Sequence, residues 1–384
     1  MSSDDPATPE TKRVHERPLS RMGRRRFVKT LAAAGFGAAS ASHLSAGDFA
    51  GIDEDRVPIV YAIARDDPDD PTQITPRVRT VAAEWYDDLR AALSARDTLD
   101  LTDTDGVLDV YVVPGDHDDG TSASIAVNVR SDSVLAELDG LTDEVPIEGS
   151  VVEGLGKEDD ESATPRHRYD PTEGPAVPGG VPVGDANGIA TLTPALYDPE
   201  VDERFFATAD HLYAGSASVR SELSVLVDGG RTPIGEVHRR HGEEDVVLVR
   251  ATGEFEPTHA LEGALPNRVV GQFSRIGLAD LKARGVEIHK IGATTGHSSG
   301  RIQAVDGISC VYGDPCKRGQ LKWGRESDFA DGDSGSVSYR PDPKNPDEGV
   351  LVCGMNTART WWPGEDYVWG TGAYVLHERY GYTF

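Results

Sequence analysis

The sequence is poor in cysteine, in methionine and in positive charge. Three Cys and three Met occur in 384 residues, and 38 Lys and Arg stand against 65 Asp and Glu. Three cysteines without a C-x-x-C spacing exclude a disulfide scaffold and leave structural zinc without its ligands. Nothing else in the sequence calls for a metal or a cofactor. The net charge of −27 excludes the basic face that a nucleic-acid binder needs to displace counterions, and it disfavours docking on anionic lipid. Long hydrophobic runs are missing as well. The apolar stretch Thr30–Ala41 is short and rich in Ala and Gly, so it is a poor membrane anchor, and no Cys near it would accept a lipid. Lysine is scarcest of the charged residues, with eight against thirty Arg. An acidic, Lys-poor chain suits a proteome bathed in molar salt, where the Debye length falls to about 3 Å and surface charges hardly repel. Disorder, the other reading of high net charge, is opposed by a 38% hydrophobic content arranged in strand-like runs.

What is present divides the chain into four parts. Residues 1–46 carry eight basic and four acidic side chains, so the remainder stands at −31. The run Arg24-Arg25-Arg26-Phe27-Val28-Lys29 before the small-residue segment resembles a twin-arginine export signal. It implies a partner in the twin-arginine translocase, cleavage after Ala41 or Ala46, and a secreted or extracytoplasmic location.

Residues 52–155 alternate strand and helix patterns. Ile59–Ala64 reads as a buried strand. Thr75-Pro76 reads as a helix start, with Val78, Val81, Ala82, Trp85, Leu89, Ala92 and Leu93 on one stripe. Leu108–Val113, Ser124–Val129 and Val145–Val152 read as strands, and Ser133–Leu141 as a short helix. That order predicts a small α+β ferredoxin-like domain. It carries no chemical constellation, and is expected to be an intramolecular propeptide or, alternatively, a retained accessory domain. Residues 156–174 form an acidic Gly/Pro linker.

From residue 175 to 384 short strands alternate with Gly, Pro and Asp turns, which predicts an all-β barrel architecture without a helix of useful length before the last residues. Three segments stand out. Arg204–His211 is an apolar strand running into a His. Glu243–Val249 sets Asp245 at the head of an apolar strand. Asp331–Ser338 places Ser334 between Asp333 and Gly335. Each is weak alone, but in the order His, Asp, Ser on one β domain they are specific. With Lys290–Ile302 and Pro178–Gly184 they resemble the trypsin/chymotrypsin-like serine peptidases of microbial type, over roughly residues 175–384.

The resemblance implies two six-stranded antiparallel β-barrels and peptide-bond hydrolysis, with a protein or peptide as substrate and a zymogen as precursor. In it His211 is the base, Asp245 its orienting acid and Ser334 the nucleophile. Gly332 and Ser334 offer N–H groups to an oxyanion, and Asp333 steadies their loop through a buried ion pair with an unidentified partner. Asp328 lies at the base of the specificity pocket and Thr357 on its wall. Asp210 stands where the family carries Ala, and Ser336 where Gly is usual; Asp210 and Asp228 are the rival acids to Asp245. Cys310 and Cys316 flank a turn that a disulfide can close. Cys353 reads as a buried thiol, and Trp361-Trp362 as a pair closing a barrel edge or, alternatively, as part of a substrate-contacting loop. The alternatives are a non-catalytic binding protein on the same fold and an esterase using the same three residues.

Overall fold

The computed structural model describes residues 55–384 apart from 68–69, 100–103, 118–119, 139–141, 143, 155–163, 186–187, 214–220 and 312–314. The export signal and residues 156–163 of the acidic linker therefore lie outside the described residues. The N-terminal part contains β1 (Arg56–Arg65), β2 (Ile74–Ala82), α1 (Ala83–Thr98), β3 (Val107–Val113), β4 (Ser124–Val129), α2 (Asp132–Leu138) and β5 (Ile147–Val151). The middle contains β6 (Ala176–Gly179), β7 (Pro182–Gly184), β8 (Ile189–Thr191), β9 (Leu196–Asp198), β10 (Glu203–Ala209), β11 (Glu222–Val227), β12 (Gly230–His241), β13 (Val246–Ala251) and β14 (Glu256–Leu261). The last part contains β15 (Val269–Phe273), α3 (Arg275–Ala283), β16 (Glu287–Gly292), β17 (Gly296–Ser309), β18 (Lys317–Trp323), β19 (Val337–Pro341), β20 (Val350–Arg359), β21 (Val368–Gly372) and α4 (Ala373–Tyr380).

Two barrels follow from the pairing. Strands β7, β8 and β10–β13 lie in one curled antiparallel sheet. Its ends meet where Thr193 N–H donates to Ala207 O (2.9 Å) and Thr208 Oγ1 to Thr191 O (2.8 Å). The second barrel closes through its ladders alone: β16 pairs β17, β17 pairs β18, then β21, β20 and β19 return to β16. The alternating apolar residues of each sheet fill its interior, for example Val183, Phe206, Val225 and Val247 in the first. Both barrels agree with the sequence expectation, as does the short terminal helix α4.

The ferredoxin-like expectation needs correction. A plait would place β1 between β4 and β5, yet β4 and β5 pair directly in parallel, and β1 pairs with β2 and with β15, which itself adds to β20 of the second barrel. Strand β3 adds to β17 of the same barrel. The two hairpins therefore extend one barrel at two edges and share its core, in which Val57, Leu89 and Ile125 join Phe273, Val305 and Trp323. Strand periodicity is local, whereas the choice of neighbour depends on which edge is open. Two elements also differ from expectation. Residues 74–82 are strand, because Pro76 sits on β2, an edge of the sheet where a missing N–H costs no ladder bond; helix begins only at Ala83. Helix α3 has no counterpart in the sequence expectation. Its N-cap Ser274 accepts from Gly277 N–H, and Leu278 and Leu281 face the core. Gly277 is required there, since a Cβ would meet Tyr61 O at 1.8 Å.

Candidate active site

The His and the acid are brought together by register. Ala209 pairs with Val246 across β10 and β13, so the residues just beyond them, Asp210 and Asp245, are adjacent, and Asp210 N–H donates to Asp245 O (3.0 Å). A 3₁₀ turn over Asp210–Tyr213 carries His211. Asp245 Oδ1 accepts the His211 backbone N–H (2.9 Å), and Oδ2 lies 2.7 Å from His211 Nδ1. Asp245 adopts φ 56°, a left-handed conformation that Asp tolerates better than most residues. That conformation turns its carboxylate, 2% exposed, under the imidazole. Burial pulls the imidazole down, but the Asp245 charge and hydrogen bond outweigh it and hold His211 above its ordinary value. With 45% of that side chain exposed, burial opposes the charge only in part and the Asp245 carboxylate prevails. Burial pushes the Asp245 carboxyl up, but His211 and the nearby Lys317 hold it below the usual range.

The serine arrives from the other barrel. Its loop follows the turn Glu326–Asp328 and leads into β19. Gly332 and Gly335 have φ of 91° and 87°, which other residues reach only at a cost. A Cβ on Gly335 would meet Thr191 O and Thr208 Oγ1 at 2.4 Å and Ala209 N at 2.9 Å. The loop thus packs on the end of the strand that delivers His211. Thr191 fastens it, its N–H donating to Ser334 O and its Oγ1 to Gly332 O, both at 2.8 Å. The Ser334 hydroxyl donates to Thr357 O on β20 (3.1 Å). Asp333 N–H is taken by Ala330 O and Gly335 N–H by Asn356 O. Among the described residues, no acceptor takes the N–H of Gly332 or of Ser334. Two unpaired donors beside a serine are what a developing oxyanion requires.

Asp333 has the partner that the sequence leaves open. Lys290 Nζ stands 2.7 Å from Asp333 Oδ2, and both side chains are fully buried. Thr294 N–H and Thr295 N–H donate to Oδ1 at 2.8 and 3.1 Å, and Thr295 Oγ1 to Oδ2 at 2.5 Å. Gly292 admits the carboxylate, because a Cβ there would lie 2.3 Å from Oδ1. Burial pulls the Lys290 ammonium below the usual lysine range, against the pull of Asp333. Breaking one side of such a pair leaves a buried charge alone and costs about 3–5 kcal/mol. Lys290→Met is expected to lower stability by that order in denaturant titration. A loss below about 1 kcal/mol would show that the pair does not brace the loop.

The remaining candidates divide. Asp210 is paired with Arg240, at 2.5 Å to Nε and 3.1 Å to Nη2, so its charge is largely spent away from His211. Thr357 lies against the serine through its carbonyl. Asp328 accepts Arg325 N–H through Oδ2 (2.8 Å) and so caps its own turn. Cys310 and Cys316 are joined, while Cys353 is buried and its thiol is pushed well above its ordinary value by burial. Trp361 and Trp362 pack with Tyr367 and Trp369 against Leu108 and Val152, at the edge of the second barrel. Sequence reasoning misses Arg240, Lys290 and Lys317. Of these only Lys290 carries a signal, as one of few Lys, set between Ile288 and Ile291 of a strand. Among the described residues no group of three His, Cys, Asp or Glu side chains is placed to hold a metal, and no helix is long and apolar enough to cross a membrane.

No protein-family model matches the chain, and no curated protein does. Solved structures do. A glutamic-acid-specific serine protease that uses a histidine triad in substrate binding is 20% identical, with a TM-score of 0.39 over 54% of this chain and 99% of its own. Protease A of Thermobifida fusca is 17% identical, with a TM-score of 0.38 over 54% and 97%. A chymotrypsin of Cellulomonas bogoriensis is 15% identical, with a TM-score of 0.35 over the same shares.

Proposed function

We propose that this chain is a serine endopeptidase that cleaves protein or peptide substrates through His211, Asp245 and Ser334. The observation that carries the reading is the meeting of two barrels: an Asp245–His211 pair closed at 2.7 Å on one, and from the other a serine loop with two N–H groups that no acceptor among the described residues takes. In this reading the Ser334 hydroxyl turns from Thr357 O toward His211 Nε2. The imidazole takes its proton as Oγ attacks the carbonyl carbon, and the oxygen gathers charge between Gly332 N–H and Ser334 N–H. The imidazolium, steadied by Asp245, then protonates the leaving amine, and water resolves the acyl-enzyme by the same route.

The brace of the oxyanion loop supports a further part of the proposal. Lys290 supplies the cation for Asp333 from within the chain, so the loop needs no newly freed chain terminus to form. If the precursor is cut, the cut does not build this loop. Residues 52–155, in our reading, stay with the enzyme after any cleavage. Export through the twin-arginine translocase into a saline medium completes the proposal.

A fluorophosphonate probe tests the reading. Folded protein in high salt is expected to gain one adduct, mapped by mass spectrometry to Ser334. Labelling is expected to fade as the pH falls through the His211 value, which Asp245 holds above the ordinary ~6.5. Folded protein without any adduct would favour a binding protein on the same barrels.

A further inference from the structure

Lys317 opens β18 immediately after Cys316, whose bond to Cys310 anchors the start of that strand. Its side chain is 19% exposed, and Nζ lies 4.0 Å from Asp245 Oδ1, the oxygen that accepts the His211 N–H. The same ammonium donates to Gly242 O in the turn between β12 and β13. Strand β18 belongs to the second barrel and that turn to the first, so one side chain crosses between the barrels to the acid behind the imidazole. The triad reading above has no task for a cation there, and one placed there opposes what Asp245 does.

We propose that Lys317 is a positioning residue for the triad, docking the second barrel on the Asp245 turn and tempering the carboxylate's charge at His211. This rests on the triad reading. Other charged groups face the same turn, and each is paired elsewhere or exposed. Asp210, beside His211, is held by Arg240. Glu243 and Glu244 are turned to Arg379 of α4, and Glu244 also to Tyr380. Arg318, next on β18, is exposed. Lys317 is thus the cation nearest the catalytic acid that has no carboxylate closer than Asp245 among the described residues. The signs are definite. The charge of Asp245 raises the imidazole and the charge of Lys317 lowers it. Removing Lys317 leaves His211 protonated to higher pH, where it is useless as a base. At 4.0 Å and mostly buried, the interaction survives salt that erases surface pairs.

The test is the pH profile of fluorophosphonate labelling at Ser334 in wild type, Lys317→Met and Lys317→Arg, with a thermal melt of each. In Lys317→Met the acid limb is expected to move to higher pH. Labelling on that limb, relative to the variant's own plateau, falls about threefold to tenfold. Lys317→Arg keeps the charge and is expected to retain the wild-type limb. A purely structural lysine would lower the plateau or the melting temperature and leave the limb in place, and that result overturns the proposal. Should Lys317→Met fold poorly, the NMR titration of His211 in Ser334→Ala against Ser334→Ala with Lys317→Gln reads the same shift without turnover. Equal titrations overturn the role. Absence of labelling in the wild type overturns the triad reading first, and is told apart from failure at Lys317 because no limb exists to move.

Discussion

Ser334→Ala is expected to abolish fluorophosphonate labelling and peptide hydrolysis, and His211→Ala to slow both by about 10³-fold or more. Members of such a constellation act as a unit, and the loss of nucleophile or base alone removes nearly all that the set contributes. Asp245→Asn is expected to cost almost as much. The amide cannot both accept the His211 N–H and hold the neutral imidazole in the tautomer that leaves Nε2 free. Cys353→Ser, a change at a buried thiol outside the site, is expected to leave labelling within about twofold. Labelling that persists in Ser334→Ala would move the nucleophile elsewhere and end the triad reading. All four chains should be compared at equal folded fraction, because the serine loop carries part of the packing between the barrels.

Removing residues 1–163 is expected to leave a chain that does not fold. The N-terminal hairpins cover the edges of β15 and β17, and their loss leaves two rows of unpaired backbone groups. Three buried charges lose partners at the same time, although Asp306 keeps Arg275 and Tyr374 and Asp280 keeps Arg284. Asp306, on β17, is held by Arg96 of α1 as well as by Arg275 and Tyr374, at 3.2 and 2.5 Å. Lys322 pairs with Asp109 of β3 at 3.2 Å and sits 4.1 Å from each of the Tyr111 and Tyr367 rings. Asp280 of α3 takes Arg79 at 2.8 Å and His117 at 3.1 Å. A buried charge stripped of its partner costs about 3–5 kcal/mol, against a total stability of about 5–15 kcal/mol for an ordinary domain. The full loss at Lys322, the weakened pairing of Asp306 and Asp280, and the opened core together exhaust it. Circular dichroism and limited proteolysis of a 164–384 chain in high salt check this. A folded, labelled 164–384 chain would make the N-terminal part a dispensable propeptide.

Much of the candidate site is legible in the amino-acid order. His211, Asp245 and Ser334 each sit beside a strand whose apolar run is local and readable, and Gly332 and Gly335 mark a turn by residue type alone. The short strands between Gly, Pro and Asp turns announce the barrels, and the spacing of Cys310 and Cys316 announces a closed turn. Helix α3 is hidden because its nine residues offer only Leu278 and Leu281 as a stripe. Strand β2 is hidden because a proline at an open edge reads like one at a helix start.

Along the chain, then, the sequence by itself determined the order of chemical groups, the period of each strand and the acidity that we read as a mark of brine. The tertiary structure alone decided which groups meet. It set Lys290 under Asp333, 43 residues away, matched Asp210 to Arg240, and brought Lys317 to Asp245. It also divided the N-terminal strands between two edges of the second barrel instead of a separate sheet. The physical reason is common to all four. Periodicity and turn chemistry act over a few residues. A buried charge or an open strand edge is satisfied by whatever the register of distant strands brings beside it, and local sequence does not encode that.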